Sequence, residues 1–86
     1  MSQNIKRMSQ SEAAAAVARI AFAYASAAGI EGKLLHVQPD SFSLERRGKT
    51  PVHWVAVFES VINGAVFDGP LIVCINLAAG SASPAA

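Results

Sequence analysis

The stretch VHWVAVFESVINGAVFDGPLIVCINL, residues 52–77, decides the fold of this 86-residue chain. It is almost continuously apolar and rich in β-branched and aromatic residues, a composition that favours strands. Asn63-Gly64 interrupts it with the dipeptide that two-residue hairpin turns prefer, because both residues must adopt positive φ. Asp68-Gly69-Pro70 marks a second turn or bulge. The pattern predicts a central strand over 52–62, a brief return over 65–68 and a last strand over 71–77.

Both faces of these strands are apolar. Successive residues of a strand point to opposite faces of the sheet, so one face carries Val52, Trp54, Ala56 and Phe58 and the other carries Val55, Val57 and Val61. In the last strand, Leu71, Val73, Ile75 and Leu77 oppose Ile72 and Cys74 in the same way. A single helix can cover one face of such a sheet. We therefore expect another polypeptide to cover the second face.

One helix is predicted on the N-terminal side of the strands. Ser9-Gln10-Ser11-Glu12 has the capping-box pattern, in which Ser9 and Glu12 satisfy each other's backbone amides. Gly29 supplies the left-handed residue with which many helices end. The predicted helix spans 10–28. Its apolar stripe should cover the sheet and consists of Ala13, Val17, Ile20, Ala21, Tyr24 and Ala28.

Two shorter strands are predicted between the helix and the central strand. They are KLLHVQ at 33–38 and SFSLERR at 41–47, where alternation places Phe42 and Leu44 inward. The fold class is therefore α+β, with one N-terminal helix packed on an antiparallel sheet of four or five strands. Residues 1–8 are predicted to be a flexible lead-in, 9–78 a single domain and 79–86 a disordered tail.

Composition argues against several classes of partner. Only 15% of the residues are charged, and the net charge is +1. A soluble domain usually has about 25% charged residues. The net charge therefore gives the protein no overall electrostatic attraction to nucleic acid or to a membrane surface. The single cysteine excludes an internal disulfide.

The N-terminal part of the chain imitates a signal peptide. Lys6-Arg7 is followed by an alanine-rich run, as in such peptides, but Glu12 and Arg19 interrupt the apolar segment. We expect a soluble helix and a cytoplasmic protein.

Few residues suggest catalysis. Cys74 lies within LIVCINL, which predicts a buried, inert thiol. His36 and His53 fall in different predicted strands without metal-ligand spacing, and the acidic residues are scattered. We therefore predict no enzymatic activity, no catalytic residue, no metal and no cofactor.

Five residues are candidates for contact with a partner. Arg46 and Arg47 belong to ERRGK, residues 45–49, which is either a solvated hairpin tip or a docking site for acidic groups through bidentate arginine pairs. Phe22 projects from the outer side of the predicted helix, either as an isolated exposed aromatic or as part of a second contact surface. His53 and Trp54 lie in the central strand.

The order of one helix followed by antiparallel strands resembles the cystatin-like arrangement. HWVAVFES (53–60) and DGPLIVCINLAAG (68–80) are similar to the W-V-x-x-F/Y strand and closing segment of the small bacterial YrhB-type immunity family. The helix and the Trp strand also resemble the PepSY-type module. The short stretch between the Trp strand and the last strand departs from these patterns, and so does CINL, which lacks the usual acidic residue. The first resemblance implies a cytoplasmic protein that neutralises a toxin by binding it.

The expected function is non-enzymatic protein binding, as an immunity or inhibitor protein. Two alternatives remain open at this point. The chain is a self-associating structural domain that forms a homodimer, or it is a small-ligand-binding module. The sequence gives the ligand-binding alternative less support, because no convergent polar groups are evident in it.

Overall fold

The computed structural model describes residues 5–85, and over that range one helix packs on a four-stranded antiparallel sheet. The predicted α+β class is confirmed. Ile5–Arg7 forms a single 3-10 turn. The helix and strands are α1 Gln10–Ala28, β1 Leu34–Pro39, β2 Arg46–Arg47, β3 Thr50–Pro51, β4 His53–Phe58, β5 Val61–Ile62, β6 Ala65–Val66, β7 Leu71–Asn76 and β8 Ser81–Pro84. The main sheet has the order β1-β4-β7-β8, and β2–β3 and β5–β6 form two small hairpins.

Helix α1 has the predicted ends. The Ser9 hydroxyl accepts a hydrogen bond from the Glu12 amide at 3.1 Å, and the Glu12 carboxylate accepts one from the Ser9 amide at 3.0 Å. Gly29 ends the helix in the left-handed conformation, with φ of 74°. These two caps satisfy backbone groups that the helix cannot pair internally. Within residues 5–85, no helix is both long enough and apolar enough to cross a membrane.

The core lies between α1 and one face of the main sheet. The helix contributes mostly alanines, which let its backbone approach the sheet closely: Ala13, Ala16, Val17, Ala21 and Ala25. The sheet contributes the larger side chains Val52, Trp54, Phe58, Val73, Ile75 and Leu77, all buried. The buried helix stripe therefore differs slightly from the predicted one: Ile20 and Tyr24 are only half-buried, and Ala28 is exposed.

The long strand predicted over 52–62 is wrong at its C-terminal end. β4 ends at Phe58, and β5 begins a separate hairpin that leaves the main sheet. That hairpin is tied to the segment after α1, because the Glu31 amide donates to the Val61 carbonyl at 2.7 Å. The Asn63-Gly64 turn is confirmed, with φ of 50° and 81° at the two residues.

The strand predicted over 41–47 is also wrong, since only Arg46–Arg47 is a strand and residues 40–45 form a loop. The Asp40 carboxylate accepts a hydrogen bond from the Phe42 amide at 2.9 Å, and the Asp40 carbonyl accepts one from Ser43 at 3.2 Å. Such local bonds compete with strand pairing. As a result Phe42 and Leu44, which the sequence pattern placed inward, are 97% and 88% exposed.

The predicted disordered tail contains the fourth strand of the main sheet. Residues Ser81–Pro84 form β8 and pair with β7, so the domain extends past the predicted boundary at 78. At the other end, the predicted flexible lead-in includes the 3-10 turn Ile5–Arg7, which packs beside β3. The predictions for residues 1–4 and 86 lie outside the described residues.

Candidate protein-binding surface

The face of the main sheet opposite α1 is the candidate surface, and we call it the outer face. Strand register defines it: His53 pairs with Asn76, Val55 with Cys74 and Val57 with Ile72, all pointing away from the buried row that includes Trp54. The outer face carries His36 and Gln38 from β1, His53, Val55 and Val57 from β4, Ile72, Cys74 and Asn76 from β7, and Ser81 and Ser83 from β8.

The centre of the outer face is apolar and its margins are polar. Val55 and Val57 on β4 lie directly opposite Cys74 and Ile72 on β7, so the four side chains form one block. The valines are half-buried, Ile72 is 39% exposed and the Cys74 thiol is exposed. The prediction of a buried cysteine is therefore wrong, because Cys74 falls on the face that α1 does not cover. An apolar centre with a polar rim is the usual composition of a protein interface.

An ion-pair cluster joins the outer face to the loop of residues 40–45. His53 Nε2 lies 2.9 Å from Glu45 Oε1, and Arg47 Nη1 lies 3.4 Å from Glu45 Oε2. The Asp40 amide also donates to the His53 carbonyl at 2.9 Å. These contacts hold both ends of the loop against the start of β4. The loop and the outer face therefore form one continuous surface.

Two large apolar side chains extend from that loop. Phe42 and Leu44 are among the most exposed hydrophobic residues of the described chain, at 97% and 88%. Alternation in SFSLERR suggested a strand, and the signal against it was Asp40 directly after Pro39, since aspartate readily accepts from an amide two residues later. Sequence reasoning missed both residues as surface candidates.

The five predicted contact residues do not form one site. His53 and Arg47 meet at Glu45, beside the outer face. Arg46 lies instead in a separate cavity with Trp54. The Trp54 ring is only 3% exposed and donates from Nε1 to the Pro51 carbonyl at 2.8 Å, so it belongs to the core and is not accessible to a protein partner. Phe22 is 56% exposed on α1, on the other side of the sheet.

A cavity of about 280 Å³ at one end of the outer face is lined by both His53 and Cys74, together with Asp40 and Asn76. His36 is not among its lining residues. Within residues 5–85 no hydrogen bond joins Cys74 to His53, whose Nε2 is directed at Glu45. A nucleophilic cysteine needs a base within hydrogen-bond reach. This arrangement gives no support to cysteine catalysis.

The two edges of the main sheet are protected against strand addition. β1 contains a bulge between Leu34 and His36 and ends with Pro39. β8 ends with Pro84. Bulges and prolines are devices that prevent pairing with another strand at a sheet edge. A partner is therefore better accommodated on the outer face than at an edge.

The hydrogen bond from His53 lowers the pKa of the Glu45 carboxyl below its ordinary value of 4.5; desolvation is the next-largest cause and opposes it, and the charges of His53 and Arg47 add to the lowering. Since the folded-state pKa is the lower one, the stabilising contribution is present above the unfolded pKa. It is lost as the pH falls through the folded pKa. We expect an NMR titration of the Glu45 carboxyl carbon to show a midpoint below 4.5, moving up in His53→Ala and less in Arg47→Ala. A midpoint that His53→Ala leaves unchanged would refute this contact.

No protein-family model, no curated protein and no solved structure matches this chain.

Proposed function

We propose that this protein is a non-enzymatic binding module that docks a different protein onto the outer face and the adjoining loop of residues 40–45. The proposal rests on the apolar block on the sheet face that α1 leaves uncovered. This block consists of Val55, Val57, Ile72 and Cys74. The polar rim around that block would supply specificity, and the apolar centre would supply affinity.

The size of the outer face means that a stable interface must include the adjoining loop as well as the sheet. Strands about 4.8 Å apart, with six residues of about 3.3 Å each, give four strands an area of roughly 400 Å². Two copies stacked through this face would bury about 800 Å² in total, below the ~1,200 Å² at which specific, stable interfaces begin. A partner that also covers Phe42 and Leu44 buries more. Self-association remains the alternative, and its signature is a concentration-dependent mass.

The partner that we propose is a toxin or similar effector, which the module neutralises by binding in the bacterial cytoplasm. The resemblance of HWVAVFES and DGPLIVCINLAAG to the YrhB-type immunity family supports this role. If a toxin gene lies beside this one, its product is the first partner to test.

The test is retention of a partner by the immobilised protein, compared between wild type and the double variant Val57→Lys/Ile72→Lys. Two lysines in the apolar block should weaken binding at least roughly thirty-fold, since central interface residues each contribute about 2 kcal/mol or more. Val66→Lys is the matched control, because Val66 is 79% exposed on the separate β5–β6 hairpin. This control should bind like wild type.

A partner that docks on the outer face must also protect Cys74 from alkylation. Retention that survives Val57→Lys/Ile72→Lys, or a bound partner that leaves Cys74 reactive, would refute docking on this face. If the retained molecule is a second copy of the chain, the self-association alternative replaces the proposal.

A further inference from the structure

A second concave site lies on the helix side of the sheet, where α1 begins. It is a cavity of about 480 Å³ between the start of α1, the end of β1 and the β2–β3 hairpin. This volume falls in the range of about 300–1,000 Å³ that small-molecule sites usually occupy. Because the cavity is formed by segments far apart in the sequence, only the folded chain creates it.

The apolar part of the lining can hold a hydrophobic body. Met8 contributes from just before α1, Ala13 from its first turns, Pro39 and Pro51 from the ends of β1 and β3, and Trp54 from β4. Trp54 is only 3% exposed, so it adjoins the cavity as a core residue and presents little of its surface to a ligand. The lining is divided between apolar and polar side chains, and polar groups that orient a ligand beside an apolar wall are typical of ligand pockets.

The charged part of the lining has one sign. Arg46 and Lys49 both line the cavity, and no acidic side chain is among its lining residues. Arg46 Nη1 donates to the Lys49 carbonyl at 3.3 Å, which fixes the guanidinium at the turn of the hairpin. The Glu12 carboxylate, in the first turn of α1, is directed at the Ser9 amide. Two cations beside an apolar wall select a negatively charged group on an apolar body.

We infer that this cavity binds a small organic anion. Its apolar, ring-sized body packs against Met8, Pro39 and Pro51 beside Trp54, and its carboxylate or phosphate group contacts Arg46 and Lys49. Ser9 and Gln10 also line the cavity, but the Glu12 carboxylate already offsets the positive end of the helix dipole there, so the preference for an anion rests on Arg46 and Lys49. This site is separate from the outer face and does not depend on the proposed protein partner.

The chain carries its own probe of this site, since Trp54 is its only tryptophan. We expect 3-phenylpropionate or phenyl phosphate to change the Trp54 fluorescence saturably and to shift the single indole N–H signal in NMR spectra. The uncharged 3-phenylpropanol should bind at least roughly tenfold more weakly, because it lacks the charge-assisted hydrogen bonds. The stronger of the two anions identifies the carboxylate or the phosphate class.

Charge removal provides the controls. Arg46→Met/Lys49→Met keeps the length of both side chains and should weaken anion binding at least roughly tenfold. Arg47→Met is the matched control on the same hairpin, because Arg47 pairs with Glu45 and does not line the cavity. Circular dichroism must show that both variants are folded. Failure of both anions to bind, equal binding of the alcohol, or unchanged binding in Arg46→Met/Lys49→Met would overturn the inference.

Discussion

Trp54→Ala should lower the free energy of unfolding by about 3–5 kcal/mol, the range found when a buried aromatic ring is truncated. The ring is 3% exposed in the core beneath α1, so its removal leaves a cavity that the surrounding alanines cannot fill. The Pro51 carbonyl also loses its 2.8 Å hydrogen bond from Nε1. For a domain of this size, whose total stability is about 4–13 kcal/mol, this loss removes a large part of the fold's stability.

Urea denaturation of wild type, Trp54→Ala and Val55→Ala measures this effect. Val55 is the matched control, because it neighbours Trp54 in β4 but points to the outer face and is only half-buried. We expect Val55→Ala to cost about 1 kcal/mol or less. Equal costs for the two variants would mean that the ring at 54 is not the core residue described here.

Gly32→Ala should be the second most damaging single change, at roughly 2–4 kcal/mol. A Cβ atom at position 32 would overlap the backbone carbonyl of Glu59. That backbone cannot move freely, because the Glu59 amide donates to the Lys33 carbonyl at 2.9 Å and the Glu31 amide to Val61 at 2.7 Å. The substitution therefore separates the segment after α1 from the end of β4.

Gly64→Ala is the control that measures the cost of a left-handed backbone conformation without steric crowding. Gly64 has φ of 81°, and no atom lies near its Cβ position. Its substitution therefore costs only the left-handed conformation, about 1–2 kcal/mol. Thermal unfolding of both variants gives the comparison. A Gly32→Ala protein within about 0.5 kcal/mol of wild type would contradict the close approach of the two backbones.

Local signals predicted the elements that depend on local chemistry. The capping box at Ser9 and Glu12, the left-handed Gly29 and the Asn63-Gly64 turn each follow from a few neighbouring residues, and all three are present. The division of β4 and β7 into two apolar faces was also predictable, because a strand alternates with a period of two residues.

Alternation alone could not predict which segments pair. SFSLERR alternates as a strand would, yet no neighbouring strand pairs with residues 41–45, and the Asp40 carboxylate bonds to Phe42 instead. The residues after Gly80 appeared featureless because their small side chains carry little pattern, but the unpaired edge of β7 gives β8 a partner.

The two candidate surfaces also differ in how much of them local sequence patterns could predict. Strand alternation indicated an apolar face around Val55 and Val57, although it did not reveal that Cys74 would be exposed on it. The charge cluster ERRGK, which includes Arg46 and Lys49, indicated a candidate docking site for acidic groups. The cavity beside it was not predictable, since Met8, Ala13 and Trp54 reach it only through tertiary packing.

The alkylation rate of Cys74 tests most directly whether the outer face is free to receive a partner. This thiol is the only one in the chain and lies in the middle of that face. In the folded protein alone we expect it to react nearly as fast as in denaturant, at low and at high protein concentration. A thiol that is protected at every concentration, or one that becomes protected as the concentration rises, would contradict the account, because the chain itself or a second copy would then already cover the face.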